Sequence, residues 1–200
     1  MTGLFNFVFE VEDQRDWQRR PGCHVNPFSC FFCHLLKTVA PWADEVHDVT
    51  YGVGSFYQHC PNLRVYAADI RRWQWIVTPA TFREVDALTY LRELPTENRQ
   101  RRVVVIDPPY PTHPAGNSRS YEWLYYPKPW QRTYLVAVLK EARSKARAVL
   151  LKYMPSDHRE EAELTVATDY VVVWRFVKAH IPVNGNIVVR NASKIFIFLG

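Results

Sequence analysis

The run Asp107-Pro108-Pro109-Tyr110 combines a carboxylate, a rigid backbone and an aromatic face, and it directly follows the branched apolar stretch RVVVI. Those residue types suit one kind of chemistry. An exocyclic amine on a nucleobase is a poor nucleophile, because its lone pair is delocalised into the ring. A side-chain oxygen of Asp107 and the backbone carbonyl of Pro108 can both accept its N–H bonds. That draws the nitrogen toward tetrahedral geometry and aims its lone pair at an electrophilic methyl group. Each proline fixes its own φ, the first restricts Asp107, and neither offers a competing N–H. Tyr110 supplies a stacking face for a base turned out of its helix, worth roughly 1 to 3 kcal/mol. Such a transfer needs no metal and no covalent enzyme intermediate. The plainer alternative is a Pro-Pro turn with a packed tyrosine. Position favours the chemistry, since ligands of an open parallel sheet sit beyond the carboxyl ends of its strands.

Other strand ends carry matching signals. Asp48-Val-Thr50-Tyr-Gly52-Val-Gly54 runs from a strand through two glycines into what reads as a helix start, where backbone N–H groups can approach a ligand. The glycine spacing is not that of a dinucleotide fingerprint, which argues against a nicotinamide or flavin. Asp69 ends the next strand, placed to accept bonds from ribose hydroxyls, and Asp86 ends another, placed to meet an adenine amino group; a helix cap is the ordinary role for either alone. The loop after Tyr110, residues 111–130, mixes aromatics with cations. Arg119, Tyr121, Trp123, Lys128 and Arg132 suit a single strand or a flipped base, with cations on phosphates and rings on bases, or a lid. Arg99 to Arg102 reads as a solvated turn at the opposite edge of the sheet. Arg71-Arg72 and Trp73-Gln-Trp75 border the adenine side or belong to the core.

These residues must be positioned by elements that alternate. A helix is expected over Pro27–Val39, strands over 45–51 and 63–68, a helix over 71–78 and a strand over 81–85. A helix over 87–93 and the strand Arg102–Ile106, buried on both faces, come next. A long helix over 129–146, a strand over 147–153, a helix over 158–168 and closing strands over 170–180 and 194–199 complete the chain. Alternation implies a mostly parallel sheet covered on both faces, and the last two strands, joined through Asn184-Gly185, read as a hairpin adding an antiparallel edge.

The order of these endings resembles the class I S-adenosylmethionine-dependent methyltransferases of the DPPY type, which modify adenine N6 or cytosine N4. The resemblance runs from Pro27 to the C-terminus and rests on DVTYGVGSF, Asp69, Asp86, Asp107-Pro108-Pro109-Tyr110 and AVLLKYMP, with YVVVWRFV and KIFIFLG as the closing hairpin. It implies a Rossmann-like α/β fold with a mixed seven-stranded sheet, mostly parallel, with an antiparallel C-terminal hairpin and helices on both faces. It implies S-adenosyl-L-methionine as cofactor, held by Asp48, Thr50, Gly52, Gly54, Asp69 and Asp86. Catalysis would fall to Asp107, Pro108, Pro109 and Tyr110, and nucleic-acid contacts to Arg119, Tyr121, Trp123, Lys128 and Arg132. The expected acceptor is adenine N6 in DNA. RNA (adenine N6 or guanine N2), protein glutamine, or a non-catalytic nucleic-acid-binding subunit are the alternatives.

Composition bounds the rest. The 200 residues are 48% hydrophobic, enough for one core, and the net charge of +5 suits an anionic partner. A single domain is expected, with residues 1–25 as an N-terminal extension. Nearly all the length goes to the fold, so no separate recognition domain is available, and a partner subunit or a homodimer is a natural supplement. No stretch is apolar enough to span a membrane and no export signal opens the chain. The expected location is therefore cytoplasmic or nucleoid-associated, not secreted. Of the four cysteines, Cys30, Cys33 and His34 share a helix face. Buried thiols are the favoured reading over a zinc site, which normally needs two paired knuckles, or a disulfide such as Cys30 or Cys33 with Cys60. No metal is expected.

Overall fold

Strand β5 (Arg102–Ile106) lies in the interior of the sheet because every one of its residues is buried and its branched side chains pack on both faces. Val104 and Ile106 join a core cluster with α3 (Ala87–Glu93) and α4 (Arg132–Lys145), while Val103 and Val105 join a second cluster with α2 (Pro27–Val39). The computed structural model describes residues 9–108, 130, 132–153, 158–175 and 192–200.

The sheet has eight strands. Its spatial order is β1 (Phe9–Asp13), β7 (Tyr170–Arg175), β8 (Ala192–Leu199), β6 (Ala148–Tyr153), β5, β2 (Glu45–Asp48), β3 (Val65–Asp69), β4 (Thr81–Glu84). Every neighbouring pair is parallel except the two that β8 makes. Helices α1 (Gln14–Gln18) and α5 (His158–Ala167) complete the described elements. Local chemistry sets the boundaries. Asn26 caps α2, accepting the Ser29 N–H at 3.2 Å with Pro27 in the first turn, and Asp86 caps α3 through Leu88 and Thr89 N–H, both at 3.1 Å. Each such cap is worth roughly 0.5–2 kcal/mol.

Four expectations are corrected. Seven strands become eight, because residues 9–13 of the N-terminal segment pair in parallel with β7 at the sheet's edge. The antiparallel strand β8 is not at an edge; it lies between β7 and β6 and bonds to both. Residues 71–78 form no helix. Trp73, Trp75 and Val77 are half-buried while Gln74, Ile76 and Thr78 are exposed, a two-residue alternation, and Pro79 disfavours helical backbone at Thr78. The Ile76 N–H donates to Val53 O at 2.8 Å and the Val77 carbonyl accepts from Tyr51 Oη at 2.8 Å, so the extended segment is pinned to the glycine turn. Arg102, finally, is no solvated turn residue. It is 2% exposed, and its guanidinium meets Glu45 and the carbonyls of Pro95, Glu97 and Lys145 beneath the sheet. Arg99 to Arg101 do form a 3-10 turn, with Gln100 and Arg101 exposed and Arg99 half-buried.

All four cysteines are paired, as Cys23–Cys30 and Cys33–Cys60. The buried-thiol expectation therefore gives way to disulfides. The same helical face that carries Cys30 and Cys33 meets the preceding loop on one side and the turn before β3 on the other, with Cα separations of 5.8 and 5.4 Å, within disulfide reach. No cluster of metal-ligating side chains occurs among the described residues.

Candidate active site

The carboxyl ends of β3, β2, β5 and β6 lie side by side and carry Asp69, Asp48, Asp107 and Lys152. The register of β5 and β6 pairs Ile106 with Leu151, which sets Asp107 beside Lys152 one position further on. Alternation places both on the α2 face, with Val105 and Leu150. Lys152 Nζ lies 3.0 Å from Asp107 Oδ1 and 3.2 Å from Oδ2, so one ammonium spans both oxygens. The side chains are only 11% and 23% exposed. The ammonium also lies 5.6 and 5.3 Å from the ring centroids of Phe28 and Phe56, within cation–π range. Sequence reasoning passed over Lys152. Its signal was a lone charge inside the buried run AVLLKY.

Asp48 is 2% exposed and organises the adjoining strand end. Its Oδ1 accepts the Thr50 N–H at 2.9 Å and the Thr50 hydroxyl at 3.3 Å, and its Oδ2 accepts the Tyr57 hydroxyl at 2.7 Å. Burial pushes the Asp48 carboxyl up to about 7, against the pull of those hydrogen bonds, with the Asp107 and Asp69 charges adding to the rise. Burial and the neighbouring Asp48 push Tyr57 well above its ordinary value, so it remains a donor. Thr50 then links two strands: its Oγ1 accepts the Asp107 backbone N–H at 2.7 Å.

The glycine turn is built around Asp69. Gly52 (φ 54°) donates its N–H to Asp69 Oδ2 at 2.8 Å, and Ile70 N–H reaches Oδ1 at 2.7 Å. Burial raises the Asp69 carboxyl, opposed by those bonds and by the Trp73 side chain. Gly54 (φ 75°) is required twice over: its backbone is left-handed, and a Cβ there would lie 2.5 Å from Tyr51 Oη. Its N–H bonds to Tyr51 O at 3.0 Å. The expected helix start is a single 3-10 turn, Ser55–Tyr57, since the Cys60-Pro61 segment must bend back toward β3. The two glycine N–H groups thus shape the turn rather than point from a helix terminus.

The remaining candidates divide. Asp86 is held by α3 and by Tyr134 of α4, whose hydroxyl donates to Oδ1 at 2.9 Å. Burial raises its carboxyl, but the bonds from Thr89, Tyr134 and Leu88 outweigh it and hold the group below its usual value. It is a capping residue by geometry. Arg71 lies 3.6 Å over the Trp73 ring and Arg72 4.5 Å over Trp75, two exposed guanidiniums stacked on half-buried rings directly after Asp69. Arg132, at the start of α4, pairs with Glu163 of α5 and lines a cavity of about 490 Å³ with Leu135, Leu139, Arg143, Leu164 and Phe198. Pro108 follows Asp107 directly, as required. Pro109, Tyr110, Arg119, Tyr121, Trp123 and Lys128 lie outside the described residues.

No family model matches the chain, and no curated protein matches it. Solved structures do. A SAM-dependent methyltransferase from Archaeoglobus fulgidus shares 15% identity over 86% of this chain and 94% of its own, with a TM-score of 0.52. A Thermoplasma acidophilum protein shares 15% identity over 86% and 87%, with a TM-score of 0.51. At that identity the likeness speaks for architecture: the chain has the α/β fold of a SAM-dependent methyltransferase.

Proposed function

We propose that the protein transfers a methyl group from S-adenosyl-L-methionine to an exocyclic amino group of a nucleic-acid base, with adenine N6 in DNA as the favoured acceptor. The observation that carries this reading is the convergence of Asp69 and the Gly52 turn with Asp107-Pro108 at the carboxyl ends of the adjacent strands β3, β2 and β5. That edge is where a doubly wound sheet binds ligands. Asp69 is a largely buried carboxyl beside a left-handed glycine, gathering N–H bonds from Gly52 at 2.8 Å and Ile70 at 2.7 Å and further bonds from Trp73 and Arg71, and an acid beside a glycine turn at this strand end is the arrangement that suits a ribose-bearing cofactor. Asp48 and Thr50 shape the same end, and Asp86 stands one strand further out. When bound, the cofactor supplies an electrophilic methyl group. The chain's own part is to hold the amine: Asp107 is fixed at its N–H by Thr50 and at its carboxylate by Lys152, and with the Pro108 carbonyl it accepts the amine's N–H bonds.

Nothing in the span from Asp69 to Asp107 is large enough for a recognition module: it holds β4, α3 and short turns. The target is accordingly short or structured, or a partner subunit or second copy supplies readout. Arg119, Tyr121, Trp123, Lys128 and Arg132 are the residues we assign to contacts with phosphate and bases. No described helix is long and apolar enough to cross a membrane. The test is transfer of labelled methyl to DNA, RNA and protein, followed by nucleoside and amino-acid analysis. N6-methyladenine in DNA is expected. Label on guanine N2, on RNA or on glutamine would move the acceptor, and cofactor binding without label on any acceptor would make the chain a non-catalytic subunit.

A further inference from the structure

Two adjacent arginines, Arg71 and Arg72, follow Asp69 just past the carboxyl end of β3. Both are exposed, and neither guanidinium forms an ion pair or a hydrogen bond among the described residues. Glu84 ends β4 in register with Asp69 and is exposed, yet neither arginine pairs with it. Elsewhere exposed arginines do find acids: Arg83 meets Glu93, Arg101 meets Asp44 and Arg132 meets Glu163. What holds Arg71 and Arg72 is a ring face, Trp73 at 3.6 Å and Trp75 at 4.5 Å from guanidinium carbon to centroid.

A guanidinium stacked by its face keeps its N–H fork in its own plane, where it suits the oxygens of a phosphate, and the stack orders the side chain in advance. The platform beneath is fixed as well. The Ile76 N–H donates to Val53 O and the Tyr51 hydroxyl donates to Val77 O, both at 2.8 Å, so the segment is tied to the glycine turn. Other ring-stacked arginines sit far from that edge. Arg64 lies over Tyr66 at the amino end of β3, and Arg143 lies over Phe198, which pairs with Val149 near the amino end of β6. Arg71 and Arg72 instead border the carboxyl edge two strands from Asp107, a spacing of about 10 Å across the sheet. A nucleic-acid strand carries one phosphate per roughly 3.4 Å of its axis, so that spacing meets phosphates a few nucleotides from a base held at Asp107. Resting on the function proposed above, we infer that Arg71 and Arg72 form a phosphate clamp for the backbone of the nucleic-acid substrate, on the cofactor side of the site. Such a contact fixes register and carries no base information.

The experiment reads the salt dependence of binding. Fluorescence anisotropy is measured between about 0.05 and 1 M salt, with the oligonucleotide that takes label in the transfer assay as probe. Arg71→Gln/Arg72→Gln should bind it roughly 20- to 60-fold more weakly at 0.1 M salt. The slope of log K against log salt should become shallower by about 1.4 for a single strand or about 1.8 for a duplex, the contribution of two phosphates. Arg71→Lys/Arg72→Lys keeps the charge and should keep most of the slope. Arg64→Gln/Arg143→Gln removes the same charge from two other exposed stacks and should leave the slope within about 0.4. An unchanged slope in Arg71→Gln/Arg72→Gln overturns the clamp, and so does an equal loss in Arg64→Gln/Arg143→Gln, which would reduce the effect to net charge. Weaker binding of S-adenosyl-L-methionine with the slope intact would assign the two arginines to the cofactor and also overturn it. A further measurement needs no variant to fold: on the wild-type protein, bound oligonucleotide should shield Arg71 and Arg72, but not Arg64 or Arg143, from an arginine-specific dicarbonyl, read by mass spectrometry. Equal modification with and without oligonucleotide contradicts the clamp. Absence of label in any nucleic acid overturns the proposed function itself, whereas normal transfer with an unchanged slope overturns only the role of Arg71 and Arg72.

Discussion

The backbone N–H of Asp107 donates to Thr50 Oγ1 at 2.7 Å, while the Thr50 hydroxyl is itself turned toward Asp48. A side chain on the loop after β2 thus fixes the residue that ends β5, and a buried carboxylate fixes that side chain. Thr50→Val keeps the shape and removes the acceptor, leaving a largely buried N–H unpaired at a cost of about 1–3 kcal/mol. If Asp107 must be held to a fraction of an ångström, kcat should fall about 10- to 100-fold with little change in KM, and Thr50→Ser should restore most of it. Steady-state kinetics on the three proteins decides. A Thr50→Val protein that loses stability but keeps kcat would show that the bond is structural only.

Asp69 and Asp107 stand on strands separated by β2, and their roles separate accordingly. Asp107→Ala should lower transfer by at least about 100-fold while cofactor Kd, measured by calorimetry, changes less than about threefold. Asp69→Ala should raise Kd at least about tenfold and leave residual turnover at saturating cofactor. Thermal melts should accompany both, because Asp107→Ala strips Lys152 of its carboxylate. Full activity in Asp107→Ala would refute the proposed chemistry.

The strand ends were legible because each closes an apolar run with an abrupt polar residue. Asp69, Asp86 and Asp107 could be placed at the sheet's carboxyl edge from the sequence alone, and the spans of α2 and α3 could be read there too. Lys152 was not legible as a partner of Asp107, since that pairing depends on the register of β5 against β6, a long-range choice. The alternation Phe9-Glu10-Val11-Glu12 marks a strand, but its docking on β7 joins opposite ends of the chain. Residues 71–78 misled for another reason. Two arginines, two tryptophans and a branched pair suit a helix as well as a strand, and the choice fell to hydrogen bonds to the Val53 carbonyl and from the Tyr51 hydroxyl that no local pattern announces.

Two buried groups titrate abnormally in opposite senses, and the consequence is testable. Asp48 moves from 3.8 up to about 7 by burial. Between those values the folded state holds more protons than the unfolded, so this contribution to stability is lost as pH rises from about 4 to 7. His47 moves from 6.5 down to about 4, by burial first and then by the Arg102 charge, against Glu45. There the unfolded state holds more protons, so stability is lost as pH falls from about 6.5 to 4. Over the shared window the slopes oppose, each up to about 1.4 kcal/mol per pH unit. Urea unfolding of Asp48→Asn should expose a stability that rises with pH, and His47→Asn, which can still meet Tyr90 Oη, one that falls. Parallel profiles for the two variants would contradict the assignment.

The disulfide Cys33–Cys60 closes a sequence separation of 27 residues between α2 and the turn that carries Phe56. In the chain-entropy model such a closure is worth about 3–4 kcal/mol, mostly by restricting the unfolded chain. Thiol titration of the denatured, unreduced protein should find no free thiol, and a Cys33→Ser/Cys60→Ser protein should melt roughly 6–16 °C lower. The site itself should persist, because the same elements are tied independently. Asn26 Nδ2 donates to Ser55 O at 3.0 Å, the Ser29 hydroxyl donates to Phe56 O at 2.9 Å, and the His59 N–H donates to that hydroxyl at 2.9 Å. Those bonds hold the Phe28 and Phe56 rings beside Lys152 without the sulfur bridge. Turnover at 25 °C should therefore change by less than about threefold despite the lower melting point. A collapse of kcat in a protein still folded at that temperature would instead make the bridge part of the site's geometry, because a 1 Å misplacement alone can cost about 100-fold.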